Sequence, residues 1–372
     1  MNKALIAIDR SKSFRVYLTI STDLVQEAAK IHDTTPLASA GLGRVLTAAG
    51  LMGIMLKDDD NKLTLHFKGD GPARQILATA YGDGRVKGYI SNPYVDLPLN
   101  DQGKLDVGGS LGVGDLTVIK DLGLKEPYTG TIALVDGEIA DDLTAYFYIS
   151  EQQNSSVALG VKVERDLSIG AAGGMIIQML PDAQEGAVDA LEKMIGAMPP
   201  LTTLISGLSG SSDPEIDRPA EAASADDSEQ PAGETLQADD SGQPAGETLQ
   251  ADDSGQPAGE TLQADDSGQP AGETLQADAE NQAASERLAA LLQEIFKDVP
   301  EEYQPEILAE REIRWECDCS RERIESALLT IGRRDLTEII EEDGEAELQC
   351  QFCCKKYHFN KDELVAILDR MG

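Results

Sequence analysis

The sequence has 372 residues, of which 41% are hydrophobic, enough to fill at least one sizeable core with linkers beside it; this excludes a globally disordered chain. A formal net charge of -36 excludes a polyanionic partner such as nucleic acid, because phosphate backbones are gripped mainly by Lys and Arg. Much of that charge lies in residues 211–283, which hold 19 acidic side chains against the single basic Arg218, so the remainder is only moderately acidic.

The opening MNKALIAIDR meets Asp9 and Arg10 before an apolar run reaches signal length, so secretion is not expected. The longest apolar stretch, near Ala171 to Pro181, falls short of the roughly 18 residues a membrane span requires. A cytosolic chain without a membrane partner follows. Residues 1–182 show strand-like runs at Ala4 to Ile8, Arg15 to Ile20, Lys62 to Phe67, Gly130 to Leu134 and Val157 to Val163, separated by Gly-bearing turns and helical patterns. These predict a mixed α/β N-terminal core domain within an α+β chain. Asp23 to Ile31, after Ser21 and Thr22, reads as one helix; Ala38 to Met55 is too apolar for a surface and reads as a helix central to the core.

Residues 183–210 predict an amphipathic linker-helix pair, with Val188, Leu191, Met194, Ile195 and Met198 on the first and Leu201, Leu204, Ile205 and Leu208 on the second. Such helices need an apolar surface to lie on. Within 211–283, the 13-residue unit ADDS(E/G)QPAGETLQ occurs four times over 225–276; one Leu per unit cannot build a core, so this acidic insertion is expected to be disordered and looped out. Linker helices are expected again over 284–312. There Ser285 reads as the cap of a helix presenting Leu288, Leu291, Leu292, Ile295 and Val299 on one face. A last unit, 313–372, contains every cysteine, and Ser320, Asp335 and Asn360 each begin a short helix, with Glu338 and Glu363 placed as in capping boxes.

The cysteines carry the chemistry. Cys317-Asp-Cys319 and Cys350-Gln-Phe-Cys353, with 30 residues between them, match a tetrahedral four-thiolate zinc site made from two short pairs. A unit of this size buries too little surface to be secure alone, whereas a structural zinc contributes on the order of 10 kcal/mol, so metal removal should unfold it. Four thiolates around Zn(II) leave a charge of about -2, for which Arg314, Arg321, Arg323, Lys355 and Lys356 are either compensating cations or ordinary surface charge. Oxidation of the sulfurs removes both charge and ligand capacity, which makes the site a candidate redox switch. Cys354 reads as a neighbour rather than a ligand, with replacement of Cys353 or resolution of an oxidised partner left open; His358 is expected on a strand beside the site.

Other motifs carry less. Gly103 to Gly114 lacks the Lys-Ser/Thr ending of a phosphate loop and is expected to form tight turns, as are Gly69-Asp-Gly-Pro72 and Gly173-Gly174. Ser150 has no histidine at a spacing that would make it a nucleophile, and core or turn roles fit His32 and His66. The chain is therefore expected to be a binding protein rather than an enzyme.

Taken together, these residues resemble the 33 kDa heat-shock protein family of bacteria. The resemblance rests on Cys317-Asp-Cys319-Ser320-Arg-Glu-Arg323, Cys350-Gln-Phe-Cys353 and Tyr357-His-Phe359. In the N-terminal part it rests on Leu42-Gly43-Arg44, Gly69-Asp-Gly-Pro72, Gly88-Tyr89, Lys125-Glu-Pro-Tyr128, Tyr146-Phe147, Ser150-Glu-Gln152 and Gly173-Gly174. It implies an ATP-independent holdase of the stress response, inactive when reduced and loaded with Zn(2+) at Cys317, Cys319, Cys350 and Cys353. Oxidation in the family joins Cys317 to Cys319 and Cys350 to Cys353, releases zinc, unfolds the small domain and linker, and yields a homodimer that captures unfolding client proteins. Two departures stand out: the repeat tract lies in the linker, where the family has a short connection, and Cys354 is additional. The competing reading is a zinc-ribbon interaction module with purely structural zinc; a small-molecule enzyme built on the Gly-rich turns is a third.

Overall fold

The computed structural model describes residues 2–208 and 271–371. In chain order, β1 (Asn2–Asp9) and β2 (Phe14–Ile20) form a hairpin whose turn is fixed by the buried Asp9 carboxylate accepting from the Phe14 amide at 2.7 Å. Helix α1 (Thr22–His32) follows Ser21, whose hydroxyl meets Thr47 Oγ1 at 2.7 Å instead of capping the helix. Helix α2 (Pro36–Gly53) starts as its sequence dictates, with Thr35 Oγ1 accepting from the Ala38 amide at 3.3 Å and Pro36 in the first turn, and it is buried along almost its whole length. It is the central core helix expected from its composition.

Strands β3 (Lys62–Gly69), β4 (Gln75–Tyr81) and β5 (Arg85–Ile90), the short helix α3 (Val107–Leu111), β6 (Gly114–Asp121), β7 (Tyr128–Ala133), α4 (Ala140–Ser150), β8 (Ser155–Val163) and β9 (Ile169–Met179) complete the N-terminal core. Four of the five strand-like runs read from the sequence lie inside strands, and the fifth, Gly130 to Leu134, runs one residue past the end of β7. The Gly103 to Gly114 segment is not turns alone, because Asp106 caps α3 by accepting from the Gly109 amide at 2.8 Å. Gly69 is there for space: a Cβ would stand 2.0 Å from the Leu111 carbonyl oxygen.

After β9 come α5 (Glu185–Ala197), α6 (Leu201–Leu208), α7 (Ala271–Phe296) and β10 (Pro305–Trp315), then α8 (Arg321–Thr330), α9 (Arg333–Glu342), the hairpin β11 (Glu345–Gln349) with β12 (Lys356–Asn360), and α10 (Lys361–Arg370). The ten-stranded sheet runs β7-β6-β3-β4-β5-β10-β1-β2-β9-β8, and β11-β12 form a separate two-stranded sheet. The protein is thus α+β, with a mixed α/β core and a small C-terminal cysteine-bearing domain. No helix among the described residues is long and apolar enough to cross a membrane.

Several sequence expectations are corrected here. The repeats at 225–270 lie outside the described residues, but 271–283, expected as insertion, belongs to α7: the stretch after Pro270 has no further proline before Pro300 and is rich in Ala, Glu, Leu and Gln, which extend a helix readily. Ser285 accordingly sits inside α7 and donates to Asn281 O at 3.1 Å, so it caps nothing. The span 284–312 is not all helix, and the boundary at 313 falls within β10. This strand pairs antiparallel with β1 from Pro305 to Ile313 and then parallel with β5 at Arg314 and Trp315, joining two antiparallel halves into one sheet. Asp335 is in the first turn of α9 rather than its cap, which is Gly332 at φ 95°. Ser320 and Asn360 do cap α8 and α10, the latter with Glu363 as a capping box.

Two apolar layers flank the sheet. One packs α2 and α4 with Leu63, Leu65, Phe67 and Ile76. The other buries Leu5, Phe14, Val16, Leu18, Met175 and Ile177 of β1, β2 and β9 beneath Leu191 and Met194 of α5, Leu201 and Ile205 of α6, and Leu288, Leu291, Leu292 and Phe296 of α7. The amphipathic helices therefore find their apolar surface on the sheet. Gly173 is what lets α6 approach, since a Cβ there would lie 2.5 Å from Ile205 Cδ1.

Candidate metal centre

Strand β10 delivers Cys317 and Cys319 directly after Trp315, and the Ser320 cap turns the chain into α8 immediately beyond them. The second pair sits in the β11-β12 connection. Register there matches Gln349 with Lys356, and the loop closes through Cys350 N to Lys355 O at 2.9 Å and Cys354 N to Cys350 O at 2.9 Å. This knuckle forces Cys354 to φ 58°, a left-handed conformation that glycine adopts more easily.

The Sγ atoms of Cys317, Cys319, Cys350 and Cys353 all lie within 4.8 Å of one another. Cys317 and Cys350 sulfurs are 3.7 Å apart, and Cys319 and Cys353 sulfurs 3.3 Å. Tetrahedral thiolates at about 2.3 Å from a zinc ion stand about 3.8 Å from one another, so the cluster fits a single tetrahedral ion with little adjustment. The two shortest contacts run across the pairs, and the sulfurs within each pair are also within 4.8 Å, as four ligands around one centre require. Cys350 is buried and the other three are half-buried.

The amides of Cys319 and Lys355 donate to the sulfurs of Cys317 and Cys353. Burial nevertheless pushes Cys317 well above the usual thiol value and Cys353 up to about 11. Burial acts the same way on Cys319 but is outweighed by hydrogen bonds from Tyr357 and the neighbouring thiols, which hold it below its usual value. Thiols held up in this way, Cys317 and Cys353, keep their protons unless a cation displaces them, and a soft dication is the group suited to that displacement.

The cations near the cysteines, readable from sequence as either compensating or ordinary surface charge, have other partners. Arg314 faces Asp83 and Glu316, Arg321 bonds Glu363 at 2.7 Å, Arg323 bonds Asp318, Lys356 bonds Glu347 at 2.8 Å, and Lys355 lies over the Tyr357 ring. The group that does reach the sulfurs is Tyr357: its hydroxyl is 3.2 Å from Cys319 Sγ and 3.3 Å from Cys319 O. In the sequence Tyr357 is visible only as part of a motif, because a tyrosine on a strand gives no sign of where its hydroxyl ends. His358 stands outside the cluster, 73% exposed and 3.0 Å from Glu347. Cys354 is likewise outside it; its sulfur is 3.6 Å from His32 Nδ1 on the core domain.

His32 and Asp318 were also missed as site residues. His32 Nε2 is 3.0 Å from the Gly88 carbonyl; burial lowers its pKa, while the Gly88 and Phe352 carbonyls pull it up. Asp318, between the first two cysteines, accepts from Tyr81 OH at 3.1 Å and from Lys87 and Arg323. Burial would raise Asp318, but those two cations hold its carboxyl far below the usual range.

Under the sulfurs lies a small core of Leu328, Leu336, Ile340, Tyr357, Phe359, Leu364 and Ile367. Ser150, His66 and the Gly-rich segments stay apart from the cluster: His66 bonds Gln75 at 2.8 Å, and the Ser150 carbonyl accepts from Tyr128.

A model of the family described as Hsp33 protein matches residues 2–216 and 259–360, leaving most of the repeat tract between its two segments. The 33 kDa chaperonin of Clostridium perfringens (strain SM101 / Type A) is 39% identical over 370 residues, covering 99% of this chain and 92% of that protein. The 33 kDa chaperonin of Alkaliphilus metalliredigens (strain QYMF) is 36% identical over 372 residues, covering 100% of this chain and 99% of its own length. The crystal structure of the 33 kDa chaperonin, a heat shock protein 33 homologue, from Thermotoga maritima superposes with a TM-score of 0.71 at 27% identity, covering 99% of this chain and 98% of that one.

Proposed function

This chain belongs to the Hsp33 protein family, and from that premise we propose that it is an ATP-independent holdase chaperone of the cytosol, not an enzyme, switched on by oxidation. Cys317, Cys319, Cys350 and Cys353 hold Zn(2+) in the reduced, inactive form. Oxidation joins Cys317 to Cys319 and Cys350 to Cys353. Forming each disulfide removes two electrons from a pair of thiolates and passes them to one molecule of peroxide, which takes up two protons and becomes two waters, so two peroxides serve the two bonds and the sulfurs lose the charge that retained the metal.

The observation that carries this reading is the position of the four-sulfur cluster directly at the end of β10, the strand that joins the two halves of the sheet and follows α7. Without the metal, the small core above cannot stand alone. Loss of the domain pulls on β10, and α7 with its neighbours α5 and α6 covers the apolar face of β1, β2 and β9. That face holds Leu5, Phe14, Val16, Leu18, Met175 and Ile177, a surface suited to unfolding clients when bare. The active form is a homodimer.

The test uses the full chain, reduced and then treated with peroxide at elevated temperature. Peptide mapping should find the two disulfides within the pairs, zinc should be released, and the oxidised protein should suppress aggregation of a heat-denatured client, all reversed by dithiothreitol. Zinc retained after oxidation, or lost without gain of client binding, refutes the reading.

A further inference from the structure

The two cysteine loops grip the core sheet through the residues lodged between their cysteines. Asp318, inside the first pair, accepts from Tyr81 OH at the end of β4 and from Lys87 Nζ on β5. Phe352, inside the second pair, stands edge-on to Tyr89 of β5, with ring centroids 5.4 Å apart and planes at 83°. Lys87 Nζ also lies 4.9 Å from the Phe352 ring centroid, so one ammonium touches both loops. The Lys87 side chain is only 8% exposed, and Asp318 is its carboxylate partner among the described residues. A buried ammonium stripped of its counter-charge is strongly unfavourable.

We propose that Asp318 and Phe352 form a two-point latch that holds the cysteine cluster against β4 and β5, with Lys87 as the shared receiving group. The latch closes only while both loops keep their shape. In the reduced cluster the shortest sulfur contacts tie one loop to the other, Cys317 to Cys350 and Cys319 to Cys353. A bond formed within either pair turns its sulfurs toward each other and away from the other loop. Asp318 and Phe352 then no longer belong to one rigid unit, Lys87 loses its partners, and the small domain leaves the sheet. Chemistry at the sulfurs is thereby converted into undocking before any helix unfolds. This inference rests on the reading of the four cysteines as a metal centre.

The experiment compares the full chain with Lys87→Met, Asp318→Asn and the double variant under reducing conditions. It follows zinc transfer to a chromophoric chelator together with the emission of Trp315, the single tryptophan, whose ring lies 6.0 Å from that of His32 beside the latch. Either single variant should release zinc about tenfold faster, the effect of losing one charge-assisted hydrogen bond. The double variant should be no faster than the faster single, and Trp315 emission should change in step. Wild-type release and emission in Lys87→Met, or single effects that simply multiply in the double variant, overturn the latch. Asp318→Asn lies outside the sheet and keeps the test valid if Lys87→Met misfolds. If the wild-type chain binds no zinc, the metal reading fails instead, and Trp315 emission alone decides the latch: a shift in Lys87→Met supports it and an unchanged spectrum overturns it.

Discussion

Replacing Phe359 by Ala offers a quantitative test of how folding and metal binding are linked. Phe359 on β12 is 1% exposed, packs in the small core with Leu336, Leu364 and Ile367, and has the Arg321 guanidinium 4.3 Å from its ring centroid. Truncating a buried Phe costs about 3–5 kcal/mol, and the lost cation–π contact adds about 0.5–1 kcal/mol. A core of this size supplies at most about 3–5 kcal/mol by itself. The metal-free domain is therefore unfolded or close to it, and metal binding drives its folding, so the loss should appear almost wholly as weaker zinc binding. At 1.4 kcal/mol per factor of ten, that is roughly 300- to 20,000-fold in affinity. A competition titration against a chelator of known affinity measures it. An affinity within about threefold of wild type would show a domain preformed without metal and refute the linkage.

Further outcomes follow from the same geometry. Cys350→Ser should abolish stoichiometric zinc binding and remove protection from hydrogen exchange in α8 to α10, while β3 and β4 stay protected. Cys354→Gly should keep full zinc stoichiometry and change stability by no more than about 1 kcal/mol, because glycine relieves the left-handed backbone at φ 58°; loss of metal there would make Cys354 a ligand. Gly69→Ala should lower stability by about 1–3 kcal/mol in denaturant titration, since its methyl would meet the Leu111 carbonyl, which cannot yield as a side chain would. Zinc binding at pH 7 should release at least about two protons per ion, from Cys317 and Cys353, whose pKa values are held up; calorimetry in buffers of different ionisation enthalpy reads this, and affinity should fall as pH falls because protons compete with the metal.

The sequence made the architecture legible where local pattern and tertiary context agree. The strand runs, the apolar α2 and the amphipathic α5 and α6 bury the faces their periodicity marks. It failed at β10, whose Glu-Ile-Leu-Ala-Glu-Arg-Glu-Ile-Arg-Trp pattern buries only Ile313 and leaves Ile307 and Leu308 exposed, so no alternation signals a strand between β1 and β5. It failed also at the start of α7, where the repeat composition masks good helix formers. The four cysteines were readable from spacing alone, because a short pair has few ways to point its sulfurs. Their surroundings were not: Asp318, Lys87, Tyr89 and His32 come together only through long-range packing, which leaves no local trace in the chain.

Sulfur oxidation, metal loss and client capture should be one event. The most direct measurement follows all three in a single sample of the full-length protein, with a chromophoric chelator reporting zinc, light scattering reporting a heat-denatured client, and timed alkylation with mass spectrometry reporting the disulfides. Zinc release should track the appearance of the Cys317–Cys319 and Cys350–Cys353 bonds, with suppression of scattering following on the same time course. Client capture by protein that still holds its zinc, or full oxidation and metal loss with scattering unchanged, would contradict it.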